Sequence, residues 1–209
     1  MRGLKINMEE GNINTREYWN INYKESGFYQ DNSVADWKFC HDNLKMILPS
    51  KPCRILEVAC GLAHNAKFVA ELGHSVVATD FSQIAIDENI KRFSDPRLRF
   101  ECMDLDLACE SFKDMDVIMG FEIFEHFKDP IIPLLKVCKA LKDGGKLVLT
   151  VPHENGKLAV WCQHYTIFSY ENLGQLLFKA GFKDFKIYKT MFSKQDILCV
   201  ATKGGVEND

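Results

Sequence analysis

The sequence predicts an α/β fold in which a doubly wound, mostly parallel sheet is covered by helices. From Arg54 onward, short apolar runs alternate with helical patterns over about 100 residues, which indicates consecutive βαβ units. Of the 209 residues, 46% are hydrophobic and 26% are charged, which is ordinary for a globular domain. A chain of this length can bury one large core and still carry additional elements.

The residue pattern of the N-terminal segment predicts two helices before the sheet begins. The first helix is expected from about Thr15 to Tyr23. The second begins after Ser33, with Asp36 three residues later as the acid of a capping box. Pro49 ends this helical segment.

The remaining elements follow in chain order. The apolar runs predicted as strands are Arg54–Val58, Ser75–Thr79, Leu98–Cys102, Asp116–Gly120 and Lys146–Val151. The helices between them are predicted at Asn65–Leu72, Ile84–Phe93 and Pro130–Leu141. The C-terminal part predicts a helix over Tyr170–Ala180, capped by Ser169, and then two strands near Phe182–Tyr188 and Asp196–Thr202.

The end of the first predicted strand has the character of a ligand-binding loop. Ala59, Gly61 and Ala63 are small, so the backbone there can approach a ligand closely while the next helix begins. In a doubly wound sheet, ligands bind beyond the carboxyl ends of the strands. We therefore expect the binding site at this edge.

Acidic residues end the next two predicted strands. Asp80 follows Glu57 by twenty-three residues, an offset at which an acid can accept both hydroxyls of a ribose. The alternative for Asp80 is the N-cap of the following helix. Asp104 ends the third strand, where its carboxylate can accept a hydrogen bond from an adenine amino group, and Asp106 is the competing candidate.

Four segments in this order resemble class I S-adenosylmethionine-dependent methyltransferases across residues 50 to 203. They are Glu57-Val58-Ala59-Cys60-Gly61, Asp80-Phe81-Ser82, Met103-Asp104 and Leu141-Lys142-Asp143-Gly144-Gly145. The resemblance implies a Rossmann-like sheet of seven strands, the last one antiparallel between its neighbours. It also implies S-adenosylmethionine as the cofactor. The implied cofactor-binding residues are Glu57, Ala59 and Gly61 at the methionine portion, Asp80 and Phe81 at the ribose, and Asp104 at the adenine.

Two features of the first segment bear on this resemblance. Ala59 and Ala63 stand where glycines are usual in the family. An NAD-dependent oxidoreductase would also use a ribose-binding acid, but it would be expected to carry G-x-G-x-x-G after the first strand. A non-catalytic subunit that binds S-adenosylmethionine is the second alternative.

A carboxylate and histidine run follows the fourth predicted strand. If Glu122-Ile123-Phe124-Glu125-His126 starts a helix, then Glu122, Glu125 and His126 share one face. With His164 as a distant fourth ligand, they can bind a divalent metal, Mg²⁺ or Mn²⁺ for oxygen-rich ligation and Zn²⁺ for more histidine. Alternatively, His126 is a general base oriented by Glu125, or a structural residue at the helix start.

The same run resembles ubiquinone-pathway O-methyltransferases and small-RNA 2′-O-methyltransferases, in which a metal binds neighbouring oxygens of a diol. The position of His164 ahead of Phe168-Ser169-Tyr170-Glu171 also resembles those enzymes. His126 and His164 are therefore the candidate catalytic residues. We expect a methyltransferase that acts on a small-molecule acceptor, on a hydroxyl oxygen.

The domain organisation expected from these patterns has three parts. Residues 1–50 form a helical cap or lid, residues 51–203 the S-adenosylmethionine-binding domain, and residues 204–209 a flexible tail. Tyr18, Trp19 and Tyr23 of the first helix either close over the cofactor or dock that helix on the core.

The composition also limits location and partners. A net charge of −3 gives no general attraction to nucleic acid, and the lysines of residues 179–194 are expected to protect an edge strand. No apolar run is long enough for a membrane span, and the first residues do not resemble a secretory signal. Eight cysteines without a CxxC pair indicate reduced thiols. We therefore expect a cytoplasmic monomer or homodimer.

Overall fold

The computed structural model describes residues 14–25, 34–155, 164–189 and 196–205. Its strands are β1 (Arg54–Val58), β2 (Ser75–Asp80), β3 (Leu98–Cys102), β4 (Met115–Phe121), β5 (Leu141–Pro152), β6 (Phe182–Lys189) and β7 (Asp196–Lys203). Its helices are α1 (Arg16–Glu25), α2 (Val34–Ile47), α3 (His64–Glu71), α4 (Gln83–Arg92), α5 (Leu105–Ser111), α6 (Ile131–Ala140) and α7 (Tyr170–Lys179), with a 3₁₀ turn at Phe124–His126.

All seven strands form one sheet in the order β3-β2-β1-β4-β5-β7-β6. β1 pairs in parallel with both β2 and β4, and β5 continues in parallel beside β4. β7 is inserted between β5 and β6 and is antiparallel to both. The predicted Rossmann-like, seven-stranded architecture is thereby confirmed.

The buried apolar residues form two clusters, in agreement with helices on both faces of the sheet. One cluster joins α5, α6 and α7 to the sheet and includes Leu134 and Leu173. The other cluster joins α2, α3 and α4 to the sheet. Leu44 of α2 and Leu48, directly after that helix, are buried in this second cluster, so α2 is part of the helical layer. Ser33, the expected cap of α2, lies outside the described residues.

Two elements differ from their sequence prediction. Helix α5 was not expected, and it begins directly after Asp104. Strand β5 begins at Leu141, before the predicted Lys146, and its pairing with β4 shifts register between Met115 and Val117. Gly145 allows this irregularity, because a Cβ there would lie 2.8 Å from the carbonyl oxygen of Lys142.

The chain order reverses between β1 and β4, since β1 leads to β2 on one side and β4 leads to β5 on the other. In open α/β sheets, the crevice at such a reversal is where ligands bind. The residues after β1, β2 and β4 therefore line the expected site. No helix in the described part of the chain is long and apolar enough to cross a membrane.

Candidate active site

The loop after β1 has an unusual backbone conformation. Ala59, Gly61 and Ala63 have φ angles of 52°, 49° and 53°, in the left-handed region. A residue with a Cβ is destabilised there by about 1–2 kcal/mol, whereas glycine is not. The two alanines that replace usual glycines thus adopt the glycine conformation at an energetic cost. The sharp turns carry the backbone from β1 into α3 at the edge of the crevice.

Asp80 connects the end of β2 to this loop. Its side chain is buried, and its Oδ2 accepts a hydrogen bond from the Gly61 N–H at 2.9 Å. Its Oδ1 accepts from the Ser82 N–H, also at 2.9 Å. Burial raises the pKa of Asp80, and the two N–H donors act in the opposite direction. The N-cap alternative for Asp80 is wrong, because Ser82 caps α4 through a hydrogen bond from the Ala85 N–H.

Glu57 lies near the end of β1 and is 2% exposed. Its carboxylate accepts hydrogen bonds from the Ala66 backbone and the Asn65 side chain. Its Oε2 has no hydrogen-bond partner among the described residues. Burial raises the pKa of Glu57 to about 8, although both hydrogen bonds oppose the change. A carboxylate held in this way favours a cationic ligand in the crevice.

The two candidate adenine-binding acids lie in different surroundings. Asp104 is exposed and is the N-cap of α5, with its Oδ1 accepting from the Leu107 N–H at 2.8 Å. Asp106 forms an ion pair with Lys136 of α6 at 2.6 Å. Phe81, after β2, accepts a hydrogen bond from the Cys102 thiol at its carbonyl oxygen. Asp104 therefore lies at the carboxyl end of β3 as the first turn of α5 begins, and Asp106 is directed toward α6.

The second part of the site is a cluster of Glu125, His126 and His164. Each offers one ligand atom, and these atoms lie within 4.8 Å of one another. The Oε1 of Glu125 is 3.9 Å from the Nε2 of His126 and 4.0 Å from the Nε2 of His164. The two imidazole rings are edge to face, with centroids 5.1 Å apart. Residues distant in the sequence thus meet at the carboxyl end of β4.

The backbone holds this cluster in place. The Glu125 carbonyl oxygen accepts hydrogen bonds from the N–H groups of Tyr165 and Thr166 at 2.8 and 3.1 Å. The Thr166 hydroxyl donates to the Phe127 carbonyl oxygen at 2.8 Å. These three hydrogen bonds fix the segment that carries His164 against the segment that carries Glu125.

Glu122 reaches the cluster by a different route from the one expected. The regular turn begins only at Phe124, so Glu122 does not share a helix face with Glu125 and His126. It lies directly after β4 with a φ of 51°, and its N–H donates to the Thr150 carbonyl oxygen. A glutamate in the left-handed region is strained, and such strain is common at functional sites. The strain directs this carboxylate toward Glu125.

The carboxylates of this cluster lie in an environment that opposes negative charge. Glu125 is 1% exposed, and no lysine or arginine among the described residues forms an ion pair with it. Burial, followed by the negative charge of Glu122, raises the pKa of Glu125 well above its usual range. Burial and the charge of Asp196 raise the pKa of Glu122 to about 8. A cation in the cluster would reverse both of these shifts.

Helix α1 lies across both parts of the site. The Trp19 ring meets the His126 ring edge to face, with centroids 5.5 Å apart. Asn20 accepts a hydrogen bond from the Ser82 hydroxyl at 2.6 Å. The Tyr23 hydroxyl lies 3.0 Å from the position that a Cβ on Gly61 would occupy. One short helix thus contacts the loops after β1, β2 and β4.

Sequence reasoning missed two residues at this site, Thr150 and Asp196. Thr150 donates a side-chain hydrogen bond to Glu122, and the charge of Asp196 acts on both glutamates. Both lie at strand positions without a recognisable pattern around them. The pairing of β4 with β5 brings Thr150 to the cluster, and the pairing of β5 with β7 brings Asp196 there, so no local sequence signal marks either residue.

The sequence matches the family described as "Methyltransferase domain" over residues 32–187. Together with the seven-stranded sheet and the crevice between β1 and β4, this match shows that the chain belongs to the class I S-adenosylmethionine-dependent methyltransferases. It is an enzyme of this class, and S-adenosylmethionine is its cofactor. The oxidoreductase and the non-catalytic subunit are therefore set aside.

Relatives differ in the atom that they methylate. "Ubiquinone biosynthesis O-methyltransferase" of Coxiella burnetii is 28% identical over 168 residues, covering 79% of this chain and 68% of that protein. Phosphoethanolamine N-methyltransferase 2 of Haemonchus contortus has a TM-score of 0.70 at 17% identity, covering 90% of this chain and 58% of that one. A TehB-like S-adenosylmethionine-dependent methyltransferase of Corynebacterium glutamicum has a TM-score of 0.63 at 17% identity, covering 90% and 97%. The fold alone therefore does not select the acceptor.

Proposed function

We propose that this enzyme methylates a hydroxyl oxygen of a small molecule and that a divalent cation assists the transfer. Glu122, Glu125, His126 and His164 would hold the cation. The Coxiella relative, an O-methyltransferase by name, supports the choice of oxygen. A small acceptor with two neighbouring oxygens is the substrate class that fits such a site.

The observation that carries this proposal is the Glu125 carboxylate. A carboxylate that is 1% exposed and forms no ion pair with a lysine or arginine among the described residues is costly to bury. The Nε2 atoms of His126 and His164 lie 3.9 and 4.0 Å from the Oε1 of this carboxylate. Such a set of oxygen and nitrogen ligands fits Mg²⁺, Mn²⁺ or Zn²⁺. A cation would compensate the negative charge of this carboxylate.

The chain's own residues then perform the remaining tasks. When bound, a divalent cation would lower the pKa of an acceptor hydroxyl and orient its neighbouring oxygen. The segment carrying His164 is fixed to the Glu125 carbonyl oxygen, so the ligands are held in position before the acceptor arrives. The methyl group is already activated on the cofactor sulfonium, so alignment of the acceptor is the main requirement.

The loops after β1, β2 and β3 would hold S-adenosylmethionine. In this proposal, Glu57, Ala59 and Gly61 surround the methionine portion, and the unmatched Oε2 of Glu57 receives its ammonium group. Asp80, together with Phe81, lies at the ribose; each Asp80 oxygen accepts one backbone N–H and keeps capacity for a ribose hydroxyl. Asp104 lies at the adenine end.

Helix α1 would act as a lid over the cofactor and the acceptor, as expected for residues 1–50. Its contacts with His126, Ser82 and Gly61 support this role. A lid excludes water from the sulfonium and from the acceptor oxygen. The separate burial of Leu44 in the core indicates that α2 anchors this segment and that α1 is the covering element.

Methylation of catechol, with phenol as the comparison, tests the proposal directly. Wild-type enzyme is expected to bind Mn²⁺, measured by electron paramagnetic resonance, and to methylate catechol faster than phenol. His126→Ala and His164→Ala should each weaken Mn²⁺ binding at least tenfold while S-adenosylhomocysteine affinity stays unchanged. His153→Ala is the matched control, because His153 packs on Tyr170 outside the cluster. Unchanged Mn²⁺ affinity in both cluster variants would refute the cation site.

A second candidate mechanism uses the same residues without a cation. The Glu125 carboxylate lies 3.9 Å from the Nε2 of His126, so it can orient that imidazole as a general base for the acceptor hydroxyl. In that case, catechol methylation survives a chelator, and His126→Ala abolishes it while His164→Ala does not. These results separate the two mechanisms.

A further inference from the structure

Asp196, the first residue of β7, is a carboxylate that the proposed ligand set does not include. We infer that Asp196 is a positioning residue of the cation site: it supplies a third negative charge behind Glu122 and Glu125 and so strengthens the binding of a divalent cation there. This inference rests on the proposed function, because it concerns the same cation.

The sheet register places Asp196 beside the cluster. β5 and β7 are antiparallel, and Thr150 is paired with Leu198 while Pro152 is paired with Asp196. Side chains two positions apart on a strand lie on the same face, so Asp196 and Thr150 are diagonal neighbours on one face of the sheet. The Thr150 hydroxyl in turn donates to the Glu122 carboxylate. The register thus places Asp196 on the same face of the sheet as Thr150, whose hydroxyl reaches Glu122.

The charges within this part of the site are unbalanced. Glu125 is 1% exposed, so its carboxyl group is shielded from water. The negative charge of Asp196 raises the pKa of Glu122 and, more weakly, that of Glu125. No ion pair between a Lys or Arg and either glutamate occurs among the described residues. A divalent cation would compensate the negative charge that gathers here.

The direction of each effect follows from electrostatics. Without a cation, the negative charge of Asp196 opposes the ionisation of Glu122 and Glu125, so it can only lower the stability of the folded chain. With a cation bound, the same charge attracts it, so Asp196 raises cation affinity. A residue with a purely structural role would not show these opposite signs.

Asp196→Asn, which keeps the size of the side chain and removes its charge, tests the inference. Mn²⁺ affinity is measured by electron paramagnetic resonance, and Mg²⁺ affinity by competition with Mn²⁺. We expect this substitution to weaken Mn²⁺ binding about tenfold, as loss of an outer partner of a metal ligand commonly does. We also expect the cation-free variant to unfold at the same or a higher temperature than wild type. Asp196→Glu should restore most of the affinity.

The matched control is Asp184→Asn. Asp184 is an exposed aspartate of β6 paired with Thr202, at the end of the sheet away from the cluster. This control removes one charge of the same sign and should leave Mn²⁺ affinity unchanged. If Asp196→Asn binds Mn²⁺ like wild type, or if it lowers the unfolding temperature of the cation-free protein, the inference is refuted. If wild type itself does not bind Mn²⁺, the proposed cation site is refuted as well. Failure of the inference about Asp196 is therefore distinguishable from failure of the proposed function.

Discussion

Glu57→Gln should change the pH dependence of stability in the cofactor-free enzyme. The pKa of this buried carboxyl rises from 4.5 to about 8 on folding. Such a carboxyl does not oppose folding below pH 4.5, opposes it increasingly as pH rises, and reaches its full effect above pH 8. At about 1.4 kcal/mol for each pH unit, the difference between acid and alkaline solution is about 4–5 kcal/mol.

The glutamine variant lacks this dependence because its amide does not ionise. Either its NH₂ group or its amide oxygen lies where the Oε2 of Glu57 has no hydrogen-bond partner. A buried polar group without a partner lowers the free energy of unfolding by about 1–3 kcal/mol at every pH. We therefore expect the variant to be less stable than wild type at about pH 5 and more stable by about 1–3 kcal/mol at about pH 8. Urea unfolding of both proteins at about pH 5, 6, 7 and 8 measures the difference.

The control for this experiment is Glu71→Gln, at an exposed position whose carboxylate pairs with Lys67 at the surface. The difference in the free energy of unfolding between Glu71→Gln and wild type should vary little across the same pH range. Parallel stability curves for wild type and Glu57→Gln would refute the reasoning. Isothermal titration with S-adenosylhomocysteine tests the proposed role separately, since loss of a charged hydrogen bond weakens binding about 10- to 100-fold.

Two further predictions concern the loop after β1 and the proposed lid. Ala59→Gly should stabilise the protein by about 0.5–1 kcal/mol, because relief of the backbone strain at a φ of 52° exceeds the entropic cost of ordering a glycine on folding. A lower free energy of unfolding in urea would contradict this. Trp19→Phe should abolish most of the change in tryptophan fluorescence on addition of S-adenosylhomocysteine, because the Trp19 ring joins α1 to His126. Persistence of the full change would show that α1 does not respond to the cofactor.

The strand pattern was predictable because buried strands leave a strong apolar signal. β1 and β3 have the expected limits, and the other strands differ by a few residues, with β5 the exception. Helix α5 was not predicted, because the position of Asp104 after a strand indicates a ligand-binding acid, although an aspartate before a short apolar run is also an N-cap signal. The same aspartate can be a ligand-binding residue and an N-cap, and the sequence does not show which of these roles it has.

The candidate site was predictable to a different extent. Glu125, His126 and His164 meet as the resemblance implied, although thirty-eight residues separate the two histidines. The strained backbone at Glu122 was not predictable, because a sequence pattern gives residue spacing and no φ angle. Asp196 was not predictable either, since its proximity depends on which strand lies beside β5.

The position of β7 has a consequence for the order in which the nascent protein can mature. Of the seven described strands, β7 is the last to be synthesised, yet it lies between β5 and β6, which are made earlier. Until residues 196–203 are available, the outer edge of β5 has no partner strand, and β6 has none on the side that β7 will occupy. An unpaired strand edge is a place where chains associate wrongly. The partly synthesised enzyme is therefore expected to depend most on chaperones before β7 is available to pair with β5 and β6.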